Sequence, residues 1–99
     1  GQIAKGVYES MIQLPILLPS AKDAERFVSI LEQFPYSMDL VSGARSVDAK
    51  SIIGVLAISQ RTDLCLVIHE VFSDISQELF NSLEPYVKGN LKELTLQTA

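Results

Sequence analysis

Hydrophobic side chains alternate from Met11 to Leu18: Ile12, Leu14, Ile16 and Leu18 fall on one side, Met11, Gln13, Pro15 and Leu17 on the other. A period of two is that of a strand with one face committed to a core. Pro15 has no N–H for a ladder, so this strand belongs at a sheet edge or is bulged there. Pro19 closes it, and Ser20-Ala21-Lys22-Asp23 reads as a shortened capping box, in which a hydroxyl accepts from the third backbone N–H and an acid follows three residues later. The helix that starts here has Ala24, Phe27, Val28, Leu31 and Phe34 as its core face. Pro35 stops it, because the residue before a proline avoids the helical basin.

From Ser37 to Ser42 the pattern is a strand with Met38 and Leu40 inward, and Ser42-Gly43 turns it into a second short strand through Arg45 and Val47. Ser51 to Ser59 is ambiguous: Ile52, Ile53, Val55 and Ile58 favour a strand, while Ile52, Val55, Leu56 and Ser59 keep helical spacing. Gln60 to Asp63 is a polar connection. Leu64 to Glu70 is apolar on both alternating sets, as in an interior strand. Asp74-Ile75-Ser76-Gln77 offers a second capping pattern, followed by a stripe of Ile75, Leu79, Leu83, Tyr86 and Val87 along a closing helix. Pro85 either kinks that helix or ends it near Glu84. Gly89-Asn90 punctuates the end, leaving a tail, 89–99, whose Leu91, Leu94 and Leu96 are suited to dock on the body or on a partner. Strands interleaved with one-faced helices predict a two-layer α+β domain, an antiparallel or mixed sheet covered by helices on one side. At 99 residues a single domain spans the chain, with its core at about 8–88.

Charge narrows the function classes. The net charge is −4 and the cations Lys5, Lys22, Arg26, Arg45, Lys50, Arg61, Lys88 and Lys92 are scattered, so no stripe tracks a nucleic-acid backbone or an anionic membrane. Cys65 is the only cysteine, which removes an internal disulfide and paired-thiol metal or redox motifs and points to a reducing compartment. With no bilayer-length apolar run and no leader-like N-terminus, a soluble cytoplasmic protein is expected. His69 is the only histidine, and without a second ligand it gives no metal motif. Neither a metal nor any other cofactor is predicted.

The run Val47-Asp48-Ala49-Lys50-Ser51-Ile52-Ile53-Gly54-Val55-Leu56 resembles the signature around the regulatory serine of the HPr family, the histidine-containing phosphocarriers of the bacterial sugar phosphotransferase system. Ala24, Phe27 and Val28 resemble the first helix of the same family, and the likeness extends from Met11 to Val87. It implies an open-faced β-sandwich, a four-stranded antiparallel sheet with three helices on one face in the order βαββαβα. It also implies that Ser51 to Ala57 is a short helix. The departure lies at the first helix, where the family has Gly-Leu-His-x-Arg-Pro-Ala and this chain has Leu18-Pro19-Ser20-Ala21-Lys22-Asp23-Ala24. Ser20 stands in place of the phosphohistidine, Lys22 of the arginine and Asp23 of the proline. An imidazole forms a phosphoramidate that transfers readily, whereas a serine ester is far more inert, and Asp23 adds negative charge where an anion would sit.

These residues define the expected site. Ser51 is a regulatory phosphorylation candidate by resemblance, and an ordinary helix cap by its chemistry. Ser20 is read first as a cap. Lys22, Arg45 and Lys50 form an anion-binding corner if the first and the short helix lie side by side. Ile52, Ile53 and Leu56 are partner-docking candidates, in competition with plain core packing. The resulting expectation is a non-enzymatic protein that works by protein contact in sugar transport or carbon metabolism. Its partner would be a kinase, a transcription regulator or a phosphotransferase component, and the chain itself a monomer or weak homodimer. The alternatives are a phosphorelay member or enzyme using His69 or Ser20, and a small-molecule-sensing ACT-like domain.

Overall fold

A computed structural model describes residues 11–89; the tail residues Leu91, Leu94 and Leu96 lie outside the described residues. The elements run β1 (Met11–Pro15), α1 (Ala21–Leu31), β2 (Met38–Ser42), β3 (Arg45–Asp48), α2 (Ile52–Ile58), β4 (Cys65–His69) and α3 (Gln77–Leu83), with single 3₁₀ turns at Phe72–Asp74 and Glu84–Tyr86. The four strands form one sheet in the order β1-β4-β2-β3, every pair antiparallel.

The registers sort the side chains. Ile12 opposes Ile68 and Leu14 opposes Leu66 across β1 and β4, while Met38 opposes Ile68 and Leu40 opposes Leu66 across β2 and β4. All six are buried, and together with Phe27, Leu31, Val55, Ile58, Leu79 and Phe80 they make one core between the sheet and the helices. The alternate positions, Met11 and Gln13, Cys65 and Val67, Asp39 and Val41, Ser46 and Asp48, share the opposite face. The architecture is thus a four-stranded antiparallel open sheet with three helices, an α+β fold.

Local chemistry sets the boundaries. β1 occupies the sheet edge as Pro15 requires, and it stops at Pro15 instead of reaching Leu18. Beyond it Ile16 forms only an isolated bridge to Val87, although the alternation continues, with Ile16 and Leu18 buried and Leu17 exposed. α1 ends at Leu31, before Pro35, through tightened bonds from the N–H groups of Gln33 and Phe34 to the carbonyls of Ile30 and Leu31. The Ser42–Arg45 pair closes a two-residue turn in which Gly43 has φ +60°, a conformation that glycine adopts without penalty.

The closing helix departs from expectation at its start. Asp74 ends a 3₁₀ turn, and Ser76 caps α3 by accepting from the N–H of Glu78. Tyr36 explains the shift: its hydroxyl donates to the Asp74 carbonyl and accepts from the Ser76 N–H, so this stretch is tied to the entry of β2. Pro85 ends the α-helical bonding, with α3 stopping at Leu83 and a 3₁₀ turn carrying the chain through Tyr86.

Candidate functional site

Ser20 caps α1 from an extended conformation, its Oγ accepting from the Asp23 N–H at 3.2 Å. The hydroxyl also donates to Asp23 Oδ2 at 2.7 Å. A capping-box acid normally reaches back to the cap's own N–H; the short Asp23 side chain meets the hydroxyl instead. The start of α1 therefore already carries a carboxylate, and the serine's proton is engaged by it.

Ser51 caps α2 in the same way, its exposed Oγ accepting from the Gly54 N–H at 3.3 Å. Gly54 is a site residue that hydropathy does not reveal. A Cβ there would stand 3.1 Å from Val47 Cβ, so α2 approaches β3 more closely than a side chain comfortably permits. The glycine within an otherwise apolar run is the sequence signal for such a close approach.

The exposed side of α2 is apolar. Ile53 is 80% exposed, Ile52 and Leu56 are partly so, and the core takes Val55 and Ile58 instead. No charged residue occurs from Ser51 to Gln60. α2 packs on α1, and the chain runs on from it through Gln60–Asp63 to the end of the sheet where β1 stops and α1 begins. Exposed Leu17 lies at this same end, held by its N–H to the Tyr86 carbonyl. Sequence reading assigns it to the outward set of β1 without marking it as part of a surface.

The expected anion corner is not formed. Lys22 is in the first turn of α1 and Arg45 at the hairpin end of β3, but Lys50 follows the other end of β3, about 10 Å along the strand at 3.3 Å per residue. Lys50 Nζ donates to the Phe34 carbonyl at 2.6 Å, beyond the far end of α1 from Lys22. The periodicity gave no sign that this ammonium is spent on joining the α1–β2 connection to the α2 entry.

His69 lies on the open side of β4, where Nε2 is 2.8 Å from Asp39 Oδ2 and Asp39 in turn faces Asp48 across β2 and β3. It pairs with Met11 at the start of β1, whereas Ser20 follows the end of that strand, so the structure does not bring His69 and Ser20 together. Among the described residues no cluster of three metal-ligating side chains occurs. The Cys65 thiol is held above its usual range by burial. Asp63 is held below the usual carboxylate range chiefly by the Ser42 hydroxyl, which donates to it at 2.5 Å, with Arg61 adding an attractive charge. Among the described residues no helix is long and apolar enough to cross a membrane.

No protein-family profile matches the sequence, and no curated protein is similar enough to it to count as a relative. A solved structure does match: HPr-C-His from Thermoanaerobacter tengcongensis, at 19% identity and a TM-score of 0.54, over 76% of this chain and 86% of that one. The fold is HPr-like. In this HPr-like fold α1 and α2 lie side by side and antiparallel strands β1, β4, β2 and β3 carry them, with Ser20 at the start of the first helix and Ser51 at the start of the second.

Proposed function

We propose that this chain is a phosphocarrier-related cytoplasmic protein that has given up phosphoryl transfer through histidine and acts by binding another protein through α2. The observation that carries the reading is Ser20. It caps α1 at the position that the resemblance to the phosphocarriers assigns to the phosphohistidine, with its hydroxyl bonded to Asp23. A hydroxyl there offers no imidazole to form a labile phosphoramidate, and the neighbouring carboxylate repels a phosphoryl donor. The chain's one histidine, His69, is engaged by Asp39 with Asp48 beyond it, surroundings that are equally unfavourable to an incoming phosphate.

Docking is the retained half of the reading. Ile52, Ile53 and Leu56 present apolar surface that the fold does not use, and an exposed, uncharged helix face of this kind suits a partner surface that buries it. Ser51, exposed at the head of the same helix, is the proposed regulatory position, where a phosphate would place charge beside that face. The partner classes that fit are a kinase, a transcription regulator or a component of the phosphotransferase system.

Incubation with phosphoenolpyruvate and the general phosphotransferase enzyme tests the first half. The expected outcome is no acid-labile phosphate on the protein, and stoichiometric labelling that disappears in a His69→Gln variant would overturn the reading. For the second half, the Ile53→Lys variant is expected to fold normally and to lose at least tenfold in affinity for any phosphotransferase component or regulator that the natural sequence binds. Equal binding by both proteins would remove α2 from the interface.

A further inference from the structure

We draw no further inference here: the strongest candidate, the open depression along the outer face of α1 lined by Lys22, Arg26, Ser29, Ile30, Gln33 and Tyr86, sets Glu25 beside its two cations, and nothing in the structure shows what covers it.

Discussion

A hydroxyl removed from water needs a partner, and Ser42, 1% exposed, donates to Asp63. The bond favours the ionised acid, so the folded-state pKa of Asp63 lies below its unfolded value of 3.8. A carboxylate depressed on folding adds stability that is complete above the unfolded pKa and disappears as pH falls through the folded one. Thermal melts between pH 6 and pH 2 should therefore show an acid limb that is shallower in Asp63→Asn than in the natural protein; superimposable limbs would mean that the Ser42 bond leaves acid stability untouched. Cys65 shifts the other way, because burial disfavours its thiolate. Gly54 bears on packing. Adding the branched side chain of Gly54→Val would press into Val47, and an overpacked contact of this kind costs about 1–3 kcal/mol, readable from urea midpoints. None of these three roles is written in hydropathy, because each depends on what the fold packs against the residue.

At the scale of elements, pattern was informative wherever one face alone was buried. The alternation through Ile12, Leu14 and Ile16 and the helical stripe through Ala24, Phe27, Val28 and Leu31 both reappear as core faces. Pattern failed at Ser51–Ser59, whose apolar residues satisfy both periods, since α2 buries Val55 and Ile58 yet leaves Ile52, Ile53 and Leu56 outside. Only the resemblance to the phosphocarriers pointed to a helix there. At α3 the cap is Ser76 and not the expected Asp74, and the backbone of both is held by the hydroxyl of Tyr36, a residue about forty positions away. Seven residues make α2 short enough for its cap to matter: Ser51→Ala should cost about 1 kcal/mol in chemical denaturation, whereas Ser51→Asp, an equally good N-cap, should retain stability. An alanine variant as stable as the parent would show that the Gly54 N–H finds another acceptor.

For the whole molecule, order and layering were within reach of the sequence, and the position of charge was not. Scattered cations gave no indication that β3 separates Arg45 from Lys50 or that Phe34 would claim Lys50. The proposed docking face leads to a test of stability separate from binding. Because Ile53 is mostly in solvent, Ile53→Lys should alter unfolding free energy by no more than about 0.5 kcal/mol, while Val55→Lys, on the opposite face of the same helix and fully buried, should prevent folding. A large loss in the first variant would show that Ile53 serves the fold and not a partner.

The bridge between Ile16 and Val87 has a bearing on how crowded copies of this protein behave. The Leu17 N–H and the Pro15 carbonyl on the outer rim of β1 are both taken by residues 86–88, and Pro15 has no amide hydrogen to extend a ladder past them. The far rim is β3, four residues long and bearing Arg45 and Asp48. Among the described residues the β1 rim is closed at its Pro15 end and the β3 rim is short and charged, two features that work against the strand-to-strand growth that seeds fibrils.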